Sequence, residues 1–251
     1  MSNVEKSNED NAPQIDSSQH QMTESSVEQV NTQKLTALRP NDQRARYAIL
    51  FIWIILGLEV VSILSSYMQY DLLQNTAGID WLSHDVISQN DTRESVVAMI
   101  HMIFSLISAI TFIQWFRRAY YNLHLRVDQL SQTEGWAAGC WFVPILNLFR
   151  PYQLMKEMYV ETRRYLNDNG MVIKDMFNTN NLTLWWTLWI VSNLIGQGVF
   201  RYSLRADTVE ELSISTVSEM VVSALGIPLA LVTIKLIKDY AKLETLLNKV
   251  E

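Results

Sequence analysis

Four residues in this chain set titrating or hydrogen-bonding side chains inside otherwise apolar runs: Glu59, His101, Asn193 and Gln197. A carboxylate, an imidazole and two carboxamides can hold a proton or bind a polar solute without any metal or cofactor. They can equally serve as an interhelical hydrogen-bond clasp. The chain tolerates the most costly of them. An acidic or basic residue at a helix centre costs about 2.5–3.5 kcal/mol on an insertion scale, and the Leu, Ile, Phe and Val residues around Glu59 return about 4–7 kcal/mol.

To meet, these residues must be delivered by helices that cross a bilayer. Overall composition hides those helices, because a chain that is 49% hydrophobic with a net charge of −6 could pass as soluble. The apolar residues are clustered instead, and runs near twenty residues long predict spans over 47–66, 96–116, 182–200 and 217–236. Counted along such helices, Glu59 and Asn193 lie about 10 Å, His101 about 8 Å and Gln197 about 5 Å from the outer ends. Polar groups at one depth on three helices are expected to face the bundle interior. Pro228, behind Gly226, is expected to kink the last span.

One apolar stretch does not fit this scheme. Residues 135–151, GWAAGCWFVPILNLFRP, are interrupted by Pro144 and Pro151. As a helix, Trp136 to Phe149 would reach about 21 Å, short of a hydrocarbon core of about 30 Å. If the stretch turns back without crossing, sixteen Lys and Arg face one side of the membrane and three the other. If it crosses, that asymmetry vanishes. The positive-inside rule therefore selects four spans with both termini in the cytoplasm, and makes 135–151 a re-entrant or tilted segment at the cytoplasmic face. After it, Tyr152, Met155, Met158, Tyr159, Thr162, Tyr165 and Leu166 recur at helical spacing, predicting an amphipathic surface helix over 152–166.

The remaining segments are polar. Residues 1–33 lack aromatic residues and apolar periodicity, and are expected to be a disordered cytoplasmic tail ahead of a helical membrane domain over 34–251. An acidic loop is expected over 67–95 and a polar link over 167–181. The closing stripe Leu236, Tyr240, Leu243 and Leu247 is expected to pack on neighbouring helices. Other chemistries find little support. No basic field suits nucleic acid, the single cysteine, Cys140, cannot form an intrachain disulfide, and His20, His84, His101 and His124 lack zinc-ligand spacing. No glycine loop cradles phosphate and no nucleophile motif is present, so no metal, cofactor or enzymatic activity is expected.

The run WFRRAYYNL from Trp115, followed by TEGWAAGCWFVPILNLFRPYQLMKEMY from Thr133, resembles the bacterial membrane-protein family catalogued as domain of unknown function 4328. The matching positions include Trp115, Arg118, Asn122, Gly135, Trp136, Trp141, Pro144, Asn147, Arg150, Pro151 and Tyr152. Glu134 and Cys140 depart from it, where the family often has proline and tryptophan. The resemblance implies a multi-pass protein of the bacterial plasma membrane and assigns no activity.

Two readings of function stay open. The leading one is a non-enzymatic scaffold, regulator or partner-binding protein in the bilayer, working with a protein partner or a second copy of itself. The other is a small transporter or channel whose path is lined by Glu59, His101, Asn193 and Gln197.

Overall fold

The computed structural model describes residues 38–76, 84–171, 173 and 179–250. The contacts below all lie within the unit Arg39–Glu251. The expected disordered tail, 1–33, lies outside the described residues, as do parts of the expected acidic loop and polar link. Among the described residues all regular structure is helical: α1 (Asp42–Thr76), α2 (His84–His124), α3 (Glu134–Gly139), a single 3-10 turn (Leu146–Leu148), α4 (Arg150–Asp168), α5 (Thr179–Ser203) and α6 (Val209–Leu247).

The long helices outrun the apolar segments that nucleate them. α1, α2 and α6 have 35, 41 and 39 residues, or about 52, 61 and 58 Å at 1.5 Å per residue. All three are long and apolar enough to cross a membrane. α5, at 25 residues, matches a span in length but is not among these three. Its apolar run carries the polar side chains of Asn193 and Gln197. Most of the expected acidic loop 67–95 is helix, because α1 runs to Thr76 and α2 starts at His84. An arginine clasp holds the two extensions together. Arg93 donates from Nε to Ser65 Oγ (3.1 Å) and from Nη2 to the Ser65 carbonyl (3.2 Å), Asn90 Oδ1 (2.7 Å) and Glu94 Oε1 (3.0 Å). Ser65 Oγ in turn donates to Glu94 Oε1 at 2.7 Å.

Local signals set the element ends. At the start of α6, Thr208 Oγ1 accepts from the Glu211 N–H (3.2 Å) and Glu211 Oε2 accepts from the Thr208 N–H (3.1 Å), a reciprocal capping box. The Asp207 and Thr208 N–H groups, both donating to it, hold the Glu211 carboxyl below its usual range. α4 carries Pro151 in its first turn, where a missing N–H costs nothing. It ends at Gly170 with φ 79°, a left-handed residue that lets the Met171 N–H reach back to the Leu166 carbonyl at 2.9 Å. Pro228 lies within α6.

The helices form an open arc. α1 packs between α2 and α6, and α5 packs on the far side of α6. α2 and α5 are not paired along their length among the described residues. The last turns of α2 and α6 and the start of α1 share one end of the arc, here the basic end, with Arg39, Arg44, Arg117 and Arg118. The Arg93 clasp lies at the opposite, acidic end.

Residues 135–151 form no membrane-length helix. The chain makes the short α3, turns over 140–145 and passes through the 3-10 turn into α4. Phe142 and Ile145 are left 75% and 74% exposed, a surface suited to lipid and not to water. α4 is the expected amphipathic helix, but Met155, Met158, Tyr159, Thr162 and Leu166 on its stripe are buried. The stripe faces protein and does not rest on a bilayer. Tyr159 donates to the Leu236 carbonyl (2.6 Å) and Thr162 Oγ1 pairs with the Tyr240 hydroxyl (3.2 Å). The stripe at the end of α6 is buried as expected, with Leu236, Tyr240, Leu243 and Leu247 all inside.

Candidate functional site

A cavity of about 750 Å³ lies on the concave side of the arc, within the range usual for small-molecule sites. Glu59, His101, Asn193 and Gln197 all line it. α1 supplies Glu59 with Ile55 and Ile52 one and two turns nearer the basic end. α2 supplies His101, Ser105, Ser108 and Phe112, a stripe at helical spacing that faces inward. α5 supplies Ser192, Asn193 and Gln197, and α6 closes the back with Gly226, Leu229 and Thr233.

At the polar end, Glu59 Oε1 lies 3.2 Å from His101 Nε2, with the two side chains 12% and 30% exposed. The approach is off the ring N–H axis, so this buried nitrogen has no aligned hydrogen bond among the described residues. His101 Nδ1 sits 3.4 Å from Ser105 Oγ. When that hydroxyl donates to Nδ1, the ring proton resides on Nε2 and faces the carboxylate. Behind Glu59 the α6 backbone comes close. A Cβ on Gly226 would stand 2.6 Å from the Glu59 carboxyl carbon, so a residue without a side chain makes room for the acid. On α5, Asn193 Nδ2 is turned to the Trp189 carbonyl (2.7 Å). Ser192 Oγ is buried without a partner among the described residues.

The floor is aromatic. Trp141, from the turns after α3, presents its edge to Phe112 and Phe116 of α2 at 5.6 and 6.2 Å and to Trp186 and Trp189 of α5 at 6.4 and 6.0 Å. Trp186 and Trp189 stack at 4.7 Å, and Trp186 Nε1 donates to the Leu148 carbonyl at 3.2 Å. The broken central segment therefore bridges α2 and α5 at the basic end, beside a direct contact of Phe112 with Trp185, whose ring centroids are 6.2 Å apart.

The motif residues serve different tasks. Trp115 is fully buried beside Tyr240, with ring centroids 6.1 Å apart. Asn122 joins a buried polar knot: it accepts from the Arg39 N–H (3.0 Å), donates to the Arg39 carbonyl (2.8 Å) and donates to Glu244 Oε1. Asn41 Nδ2 donates to Glu244 Oε2 at 3.0 Å. Glu244 lies two turns beyond the apolar run that ends at Leu236, outside the span. Burial pushes its carboxyl above the usual range, and the Asn122 and Asn41 amides pull it back. Glu134, the departure from the family pattern, pairs with Arg117 at 3.3 Å. Arg150 donates to Gln153 (3.1 Å), and the Tyr152 hydroxyl pairs with Thr183 (3.3 Å) beside the floor. Gly135 and Trp136 lie in α3, and exposed Pro144 lies in the turns after it. Asn147, in the 3-10 turn, has its Oδ1 buried and unpaired among the described residues.

Sequence reasoning missed Ser105, Ser108 and Ser192 on the cavity and Glu244 and Asn41 in the knot. Glu244 carried a usable signal, since it shares a helix face with Tyr240, Leu243 and Leu247. Glu157 was also missed. It accepts from the Tyr120 hydroxyl (2.8 Å), the Ser131 N–H (2.7 Å) and the Ser131 hydroxyl (2.7 Å), fixing the link after α2.

Long apolar helices arranged around a largely apolar cavity with a few polar side chains define a helical membrane protein. The chain belongs to the family described as Domain of unknown function (DUF4328), whose model matches residues 80–242. No curated protein and no solved structure matches it.

Proposed function

We propose that this is a non-enzymatic multi-pass protein of the bacterial plasma membrane that holds a small polar-headed solute in its intramembrane cavity, as a transporter or channel does. In this reading α5 is the fourth span, both termini are cytoplasmic, and residues 135–151 re-enter from the cytoplasmic side to close the cavity floor. The carrying observation is that Glu59, His101, Asn193 and Gln197, from three helices, line one cavity. Intramembrane ionisable groups of this kind mark solute paths, and broken helical elements at membrane depth mark sites of access.

The single native cysteine gives a direct test. In a Cys140→Ser background, Ser192→Cys is expected to react with a small membrane-impermeant thiol reagent added from outside the cell, while Leu194→Cys, on the exposed face of α5, is expected not to react. Equal inertness of both positions would sink the reading. A regulatory or partner-binding role draws on a different observation. The knot of Asn122, Asn41 and Glu244 grips the backbone at Arg39 at the basic end of the helices, a surface that a protein partner or second copy could reach.

A further inference from the structure

We infer that the cavity selects a hydrophobic organic cation, its charge beside Glu59 and its apolar body toward the rings of Trp141, Trp189 and Phe112. This rests on the reading of the cavity as a solute site and adds the chemical class of the solute.

Charge is the first argument. The cavity lining holds one carboxylate, Glu59, one imidazole, His101, and no Lys or Arg. An anion would have to approach the Glu59 carboxylate, and the one lining side chain able to carry positive charge, His101, already lies 3.2 Å from that carboxylate. The cation nearest in sequence register, Arg93, is fully engaged by Ser65, Asn90 and Glu94 in the acidic-end clasp. A neutral solute would leave Glu59 with only the off-axis imidazole, and an imperfectly paired carboxylate in a low-dielectric site attracts a counter-charge. The missing side chain at Gly226 leaves room for the carboxyl to lie against the α6 backbone, which places it at the cavity wall.

Shape and wall chemistry are the second argument. From His101 to Phe112 is eleven residues of α2, about 16 Å of slot. Its sides carry Ile52, Ile55 and Leu229, and its floor carries tryptophan and phenylalanine. Aromatic faces attract cations by their quadrupole as well as by apolar contact, whereas they offer an anion no such gain. The slot therefore matches an elongated or bulky body bearing one positive charge. Access is the third argument. Above the floor α2 and α5 are not paired along their length among the described residues, and in this reading the gap between them opens the slot toward the bilayer, where hydrophobic cations accumulate.

The test uses the purified full chain in detergent and three radiolabelled probes of similar ring content in equilibrium dialysis: tetraphenylphosphonium, neutral triphenylphosphine oxide and tetraphenylborate. Saturable binding of the phosphonium is expected to be at least about tenfold tighter than that of the neutral probe, with no saturable binding of the borate. Glu59→Gln is expected to abolish this preference while leaving the neutral probe unchanged, and Trp189→Leu is expected to weaken the phosphonium more than the neutral probe. If Glu59→Gln does not fold, the wild-type preference and the Trp189→Leu result decide. Equal binding of cation and neutral probe, or a preference that survives Glu59→Gln, overturns the cation assignment and leaves the solute site standing. Saturable binding of none of the three overturns both.

Discussion

Replacing Asn122 by alanine tests the knot that joins the start of α1 to the ends of α2 and α6. The substitution removes two hydrogen bonds to the Arg39 backbone and one to the Glu244 carboxyl. A neutral hydrogen bond contributes about 1 kcal/mol net and one to a charged group about 1.5–3 kcal/mol. Arg39 is exposed, so its backbone regains water, which leaves an expected loss of about 2–4 kcal/mol. The pH dependence follows from Glu244. Burial raises its carboxyl above the unfolded value, so the folded state keeps a proton that the unfolded state gives up. The associated stability is present below the unfolded value and is lost as pH rises through the folded one. Asn122 favours the charged form, so its removal raises the folded value further. The cost of Asn122→Ala should therefore grow as pH rises above the unfolded carboxyl's value and through the folded one. Glu244→Gln should flatten the wild-type decline and remove the pH dependence of the Asn122→Ala cost. Unfolding of the four variants of this double-mutant cycle in detergent, at several pH values, measures all of this. A cost below about 1 kcal/mol, or one unchanged across pH, would refute the reasoning.

Three further outcomes are expected. Gly226→Ala should change stability by less than about 1 kcal/mol, because a methyl meets the mobile end of Glu59 while alanine favours the helix. It should nevertheless break the Glu59–His101 contact, seen as a shifted His101 imidazole ¹⁵N signal, and an unmoved signal would contradict this. Arg93→Ala should lower stability by about 1–3 kcal/mol through loss of the acidic-end clasp, whereas Arg117→Ala, whose partner Glu134 is also solvent-accessible, should cost under about 1 kcal/mol. Equal melting shifts would argue against the distinction. Trp141→Ala should cost about 3 kcal/mol and make Ser192→Cys reactive from the basic end of the protein. Phe142→Ala, on an exposed ring, should stay within about 0.5 kcal/mol.

Much of the architecture is written locally. The runs around Glu59, His101 and Pro228 are apolar enough to dictate long helices, and depth counting along them brought Glu59, His101, Asn193 and Gln197 to one level, where the structure gives them one cavity. Length and the two prolines sufficed to show that residues 135–151 form no membrane-length helix. What escaped depends on distant partners. Ser105 and Ser108 read as ordinary small residues until α5 is seen opposite them. The helical ends of α1 and α2 read as loop, because polar residues carry no apolar period and only the Arg93 clasp explains their order. The stripe of α4 reads as membrane-facing, since burial against Tyr240 and burial in lipid demand the same residues.

The tryptophan-rich floor makes the protein its own optical reporter. Four of the eight tryptophans, Trp141, Trp185, Trp186 and Trp189, are linked by direct tryptophan–tryptophan ring contacts. Excitation absorbed by any of them can be shared through so close an array, so the near-ultraviolet emission and exciton circular dichroism of the whole chain are weighted toward this spot. Any displacement of the bridging segment that separates Trp141 from the Trp186–Trp189 stack would change that signal without a label being attached.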